Sequence, residues 1–370
     1  MNALTIVGLI AGIAALVIGA EALVRGAARL AARTGMSPVV IGLTVVAFGT
    51  SAPELAVSIG DAVRAGDEAG AIAVGNVVGS NIANILLVLG IAAAFGGALL
   101  VAQRIVRLDV PIMIGASVLV LVFALNESIG RVEGAVLVVA LVVYITWTVT
   151  AARRGTAAPV EREYEEALDP EKLAASSVST DLAFLVAGLA LLVVGSQLLV
   201  GAASDIASEL GVSDLVIGLT VVAIGTSLPE VATSVLAAIR GQRDLAVGNA
   251  IGSNLFNLLA VLGITAVIAP NPLPVAASAV QVDLPVMVAV AVACLPIFAN
   301  GHVIHRWEGL LFLALYAGYL TWLVLDATEH GVRDSYGNVM LFFVAPITAL
   351  TLVLIGWRSR TNPDHRLATD

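Results

Sequence analysis

The sequence predicts an all-α polytopic membrane protein: two inverted five-helix repeats forming a ten-span core, with an eleventh transmembrane helix at the C-terminus. Three observations predict it. Hydrophobic residues make up 59% of the 370-residue chain, charged residues only 12%, and the mean hydropathy is +1.01, whereas a soluble domain is about a quarter charged. Uncharged runs recur that can cross a bilayer core of about 30 Å, which takes about 20 residues per helix. The two halves of the chain also repeat one another, each with an odd number of such runs. Aromatics are 5%, so the apolar mass is Ala, Val, Leu, Ile and Gly, the residues of closely packed membrane helices.

Runs between charges and helix breakers place the first five spans near residues 3–31, 38–60, 70–99, 108–125 and 133–152. A charged stretch follows, with the acidic run Glu161–Glu166. Five more spans fall near 181–204, 213–238, 245–269, 280–299 and 308–326, and an eleventh at 335–357. The chain thus divides into a first repeat (1–152), a cytoplasmic linker (153–179), a second, inverted repeat (180–327) and an added helix with a cytoplasmic tail (328–370). The first run reads as a span rather than a cleaved signal: it is long, lacks a basic start, and its arginines (Arg25, Arg29, Arg33) follow the apolar stretch.

Cytoplasmic loops carry an excess of Lys and Arg. The loops after spans 1, 3, 5, 7 and 9, with the tail, hold 15 of the 18 basic residues; the other loops hold only Arg64, Arg131 and Arg333. This split puts the N-terminus outside and the C-terminus in the cytoplasm, in the cell (cytoplasmic) membrane. One missed span would scramble it.

Residues 39–58, VVIGLTVVAFGTSAPELAVS, match residues 215–234, LVIGLTVVAIGTSLPEVATS, at 15 of 20 positions with an offset of 176. The run AVGNVVGSNIAN (73–84) returns as AVGNAIGSNLFN (246–257), and Asp109-Val-Pro-Ile-Met as Asp283-Leu-Pro-Val-Met. With five spans per half, the second half must enter the membrane upside down. Such inverted repeats, with a site where they meet, belong to secondary transporters.

Each repeat sets one carboxylate deep in an apolar span: Glu54 and Glu230. An uncompensated carboxylate in hydrocarbon costs roughly 3 kcal/mol or more, and no Lys or Arg lies three or four residues away in the same span. The bland alternative, a residue reaching the interface as Glu21 does beside Arg25, fits poorly so far inside the run. Around them, Gly49-Thr50-Ser51-Ala-Pro53 and Gly225-Thr226-Ser227-Leu-Pro229 interrupt the helix. Each proline removes an amide donor and frees the carbonyl four residues earlier. A kink alone would not need Thr, Ser and Glu packed about it in both halves. The second motif stacks Ser80 above Asn84, and Ser253 above Asn257, on one helix face each; interhelical glue is the bland alternative for these Ser and Asn side chains, weighing more for Asn81 and Asn254 than for the others and still second to a functional reading. Two carboxylates, four hydroxyls and loosened carbonyls suit a hard cation. Ca²⁺ takes six to eight oxygens in flexible geometry, and the same oxygens suit Na⁺ ions.

GTSAPE followed by GNVVGSN, and GTSLPE followed by GNAIGSN, strongly resemble the paired α-repeats of the sodium/calcium exchanger family, within the calcium/cation antiporters. The resemblance covers about residues 1–325. It implies ten helices, with spans 1 and 6 sliding across a bundle of the other eight. It makes Glu54 and Glu230 the central calcium ligands. Thr50, Ser51, Thr226, Ser227 and the carbonyls of Ala47 and Ala223 join the calcium and sodium sites, and Ser80, Asn84, Ser253 and Asn257 complete the sodium and water shell. Similar members often carry Asp where this chain has Asn257, which implies weaker coupling to protons. The eleventh span is absent from the ten-helix prokaryotic pattern, and the linker, about 27 residues, is too short for the large calcium-sensing domains of animal exchangers.

The implied function is extrusion of Ca²⁺ in exchange for Na⁺ by alternating access. The nearest alternatives are a Ca²⁺/H⁺ exchanger and a K⁺-dependent Na⁺/Ca²⁺ exchanger on the same fold; a cation channel or a non-transporting calcium binder come after them. The Thr-Ser pairs and both Asn at sodium-type positions favour Na⁺. No enzymatic activity is expected. The histidines (His302, His305, His330, His365) lie in late loops or the tail, no H-E-x-x-H occurs, and the lone Cys294 can form neither an internal disulfide nor a thiolate cluster. The expected partners are Ca²⁺, Na⁺ and the bilayer, with no cofactor, no nucleic acid and no obligatory protein.

Overall fold

The computed structural model describes residues 3–34, 36–63, 70–154, 177–211 and 223–351, together with Val353. Among them the chain is helical, with only four two-residue strands. The first repeat runs as α1 (Ala3–Thr34), α2 (Pro38–Ile41), a π-helical segment (Gly42–Val46), α3 (Ala47–Thr50), α4 (Ala52–Ala62), α5 (Ala71–Ala83), a second π segment (Asn84–Leu89), α6 (Gly90–Gly96), β1 (Leu99–Leu100), α7 (Val110–Phe123), β2 (Ser128–Ile129) and α8 (Arg131–Arg154). The second runs as α9 (Val178–Glu209), α10 (Ala223–Thr226), α11 (Leu228–Ile239), α12 (Arg243–Phe256), a π segment (Asn257–Val261), α13 (Leu262–Ile268), β3 (Leu273–Pro274), α14 (Leu284–Ala299), β4 (Val303–Ile304) and α15 (Arg306–Ala327). A last helix, α16 (Arg333–Val339), continues through a π segment (Met340–Val344) and on to residue 351.

Among the described residues eight helical stretches are long and apolar enough to cross a bilayer, and the pair Val39–Thr50 and Ala52–Ala62, bent by 41°, makes a ninth. These match the expected spans, with the second one broken at the Gly-Thr-Ser-x-Pro motif. The start of the expected span 213–238, the charged linker from 155 to 176 and the end of the expected span 335–357 lie outside the described residues. What is described of the last segment docks on α15: the Tyr336 hydroxyl donates to the Gly318 carbonyl at 2.8 Å, and Arg333 pairs with Asp326 at 3.0 Å.

The two longest helices, α1 and α9, pack side by side and antiparallel. Gly12 abuts Gly195 and Leu199, Gly19 abuts Gly188, and Gly26 abuts Asp181 and Leu185, so residue numbers rise along one helix as they fall along the other. Glycine is required here: a Cβ on Gly188 would stand 2.6 Å from the Leu23 amide nitrogen. At one end of the pair, buried Asp181 pairs with Arg33 at 2.6 Å; at the other, the Thr5 hydroxyl donates to Asp205 at 3.4 Å.

Other contacts come in repeat-matched pairs, some between the repeats and some within each. Antiparallel β1 pairs with β4, and β2 with β3. Gly134 of α8 packs on Gly263 of α13, as Gly309 of α15 packs on Gly90 of α6. The repeated Asp-x-Pro motifs anchor neighbouring helices: Tyr144 donates to buried Asp109 at 3.0 Å, and Tyr319 donates to Asp283 at 2.9 Å. Arg104 adds an ion pair to Asp109 at 3.4 Å, compensating a carboxylate that hydrocarbon would otherwise penalise.

Candidate ion site

The two helix breaks form as the motifs demand. At Ser51 (φ −83°, ψ 3°) and Ser227 (φ −87°, ψ 2°) the backbone leaves helical geometry, and a proline occupies the first turn of the helix that follows, where its missing amide is no loss. Glu54 and Glu230 sit in those same first turns, at the positive ends of helix dipoles. Both are fully buried. The first break packs against the second: α3 contacts α11, the helix that carries Glu230.

Further buried polar groups without protein partners belong to the same motifs: the hydroxyls of Ser51 and Ser227, and both amide atoms of Asn84 and of Asn257. Such groups are rarely left unpaired in a packed interior. Here they come in repeat-related pairs, as the two carboxylates do. Asn84 and Asn257 each open a π-helical segment, a distortion frequent at functional sites. Among the described residues no group of three or more His, Cys, Asp or Glu side chains is placed to hold a metal ion. The break motifs carry two carboxylates and neutral oxygens, ligand types that suit a hard cation.

Other expected residues are tied into the frame. The Thr50 hydroxyl donates to Asn249 Oδ1 at 3.2 Å and shares a 3.3 Å contact with Ser253 Oγ, joining the first repeat to the second. The Ala47 carbonyl receives the Ser51 amide at 3.0 Å and the Thr50 hydroxyl at 3.4 Å, whereas the Ser227 amide turns to Ile224, not to Ala223, at 3.1 Å. Ser80 is buried and Thr226 half-buried. Asn81 bonds back to the Val77 carbonyl at 2.7 Å, and Asn254 reaches Met113 of α7 at 3.4 Å, which gives the latter the interhelical role left open for it.

Four residues outside the expected set brace the breaks. Asn76 donates to Ser58 Oγ at 3.1 Å and to the Glu54 carbonyl at 3.3 Å; its repeat counterpart Asn249 donates to Ser234 Oγ at 3.0 Å. Each clamp fixes the helix carrying a carboxylate to the helix carrying the Ser-x-x-x-Asn face. The signal was present in the sequence, since both Ser and both Asn recur in the two repeats.

Known proteins resemble this chain along most of its length. The sequence profile described as sodium/calcium exchanger protein matches residues 4–150 and again residues 180–325. A putative antiporter, CaxA, of Alkalimonas amylolytica is 40% identical over 293 residues, covering 78% of this chain and 89% of that protein. The sodium/calcium exchanger MaX1 of Methanosarcina acetivorans is 33% identical over 321 residues, covering 78% of this chain and 90% of that one. Among solved structures, one of the sodium-calcium exchanger NCX_Mj, soaked with Na⁺ and Sr²⁺, superposes with a TM-score of 0.72 at 32% identity, covering 87% of this chain and 99% of that chain.

Proposed function

The chain belongs to the sodium/calcium exchanger protein family, a family of cation antiporters, and we propose that it extrudes Ca²⁺ from the cytoplasm in exchange for Na⁺ by alternating access. The observation that carries this reading is the pair of fully buried carboxylates, Glu54 and Glu230, at two helix breaks, in motifs whose Ser51, Ser227, Asn84 and Asn257 side chains are also buried without protein partners. Two carboxylates neutralise one Ca²⁺, and the hydroxyl and amide oxygens complete a flexible shell. Thr50, Ser51, Thr226, Ser227 and the carbonyls of Ala47 and Ala223 are assigned to the shared Ca²⁺ and Na⁺ sites, with Ser80, Asn84, Ser253 and Asn257 around them.

The transport cycle rests on two inverted five-span repeats in a ten-span core, with α16 beginning an eleventh span. The antiparallel α1–α9 pair and the crossed strand pairs support that topology: inversion puts the loop after the third span on the same membrane side as the loop after the ninth. Alternating access is supported by an asymmetry. α1 packs along α11 and Thr233 there is fully buried, while its repeat counterpart on α4, Val57, is 43% exposed. Glu21 of α1 also pairs with Arg240 beyond α11 at 2.8 Å. With the C-terminus in the cytoplasm, this conformation covers the cytoplasmic half of the site.

The test is ⁴⁵Ca²⁺ uptake into proteoliposomes loaded with Na⁺, with K⁺-loaded and pH-gradient controls. Uptake is expected only with internal Na⁺. Uptake driven by protons alone, or flux that needs no counter-ion gradient, would sink the reading. Asn257→Asp tests the proton side of it. A third carboxylate sharing the site competes for a proton, because like charges cannot all stay ionised cheaply. The variant should lose Ca²⁺ flux as pH falls, more steeply than the parent chain does; identical pH profiles would remove Asn257 from the site.

A further inference from the structure

Pro229 deprives the Gly225 carbonyl of the amide that would bond it in a continuous helix. The hydroxyl of Ser196, from α9, donates to that carbonyl at 2.5 Å. A serine inside a membrane helix ordinarily bonds back to a carbonyl of its own helix; this one crosses to another. Val200, one turn further along α9, covers the same glycine so closely that a Cβ on Gly225 would come within 2.0 Å of Val200 Cγ2. Residues four apart on one helix face therefore grip the break, one by a hydrogen bond and one by contact.

The first repeat lacks this grip. The offset of 176 pairs Ser196 with Ala20, which has no hydroxyl. Gly49, the glycine of the first break, instead faces Leu189 of α9 at an ordinary 3.5 Å.

We propose that Ser196 is a positioning residue for ion binding. By closing the Gly225 carbonyl it holds the α10–α11 break, and with it Ser227 and Glu230, in liganding geometry, and it joins the α1–α9 pair to the second-repeat half of the site. The proposal rests on the antiporter reading. A buried hydrogen bond contributes about 1 kcal/mol net, which corresponds to about fivefold in an equilibrium constant.

The experiment measures equilibrium ⁴⁵Ca²⁺ binding in detergent, KM and kcat for Na⁺-driven Ca²⁺ uptake, and ion-free Tm, for the parent chain, Ser196→Ala and Ser196→Thr. Ser196→Ala should raise both the Kd and the KM for Ca²⁺ about fivefold, keep kcat within about twofold and leave the ion-free Tm in place. Ser196→Thr, which restores the hydroxyl, should recover the affinity. Parent-like Ca²⁺ binding by Ser196→Ala overturns the proposal, as does a loss that threonine does not rescue and that runs parallel to a lowered Tm. Failure of the antiporter reading looks different: the parent chain itself shows no Na⁺-driven uptake. The binding titration still decides for Ser196 in that case, and a parent chain that binds no Ca²⁺ overturns both.

Discussion

Glu54→Gln and Glu230→Gln each abolish Na⁺-driven Ca²⁺ exchange while leaving the chain folded. The two carboxylates are the only acidic side chains in the break motifs, and both are fully buried. Removing either leaves one negative charge against a divalent cation in a medium too poorly polarisable to compensate. Breaking a buried charge pair costs about 3–5 kcal/mol, on the order of 100-fold or more in ion affinity. Stability without ions should move the other way. Glutamine keeps the shape of the side chain and removes a charge whose burial costs roughly 3 kcal/mol or more, so the ion-free Tm should hold or rise. The diagnostic pair of measurements is therefore ⁴⁵Ca²⁺ flux, expected at background, and the Ca²⁺-induced rise in Tm, expected to vanish. Parent-level flux in either variant would show that the site has been misplaced.

Gly188→Ala disrupts the α1–α9 pair, whereas Gly115→Ala does not. A Cβ at Gly188 meets the Leu23 amide nitrogen at 2.6 Å and the Gly19 carbonyl oxygen at 2.7 Å, both backbone atoms that no rotamer change can move aside. The helices must part, and lipid supplies no hydrophobic force to press them together again. Overpacking of this kind costs about 1–3 kcal/mol, and here the loss is felt along the whole length of the pair. At Gly115 of α7 nothing lies within 4 Å of the added carbon, so alanine there should be neutral or stabilising by up to about 1 kcal/mol through its helix propensity. Thermal unfolding in detergent compares the two. Equal Tm values would mean that the close glycine crossing does not hold the pair together.

Much of the candidate site was legible in the sequence because it is written twice. Glu54 and Glu230, the prolines beside them and the Thr-Ser pairs recur at one offset inside runs that exclude other charges, and burial cost makes a repeated intramembrane carboxylate informative by itself. The broken second span follows from Gly and Pro in the motif, and the bend of 41° is their direct consequence. The π segments opening at Asn84 and Asn257 are another matter. An extra residue in one turn leaves no mark on composition or periodicity, since it depends on what the neighbouring helices leave room for.

By itself, then, the sequence determined the membrane class, the duplication and a repeated set of residue types suited to a cation, because hydropathy, spacing and repetition are properties of the chain taken in order. Tertiary structure alone decided which neutral groups of the motifs bond to protein and which are left buried without a protein partner. Thr50 meets Asn249 and Ser253 across about 200 positions of sequence, the clamps Asn76–Ser58 and Asn249–Ser234 select one partner each, and Ser196 claims the carbonyl that Pro229 releases. A hydroxyl or amide inside a membrane must find a partner. Which partner it finds depends on distances that exist only once the helices are packed.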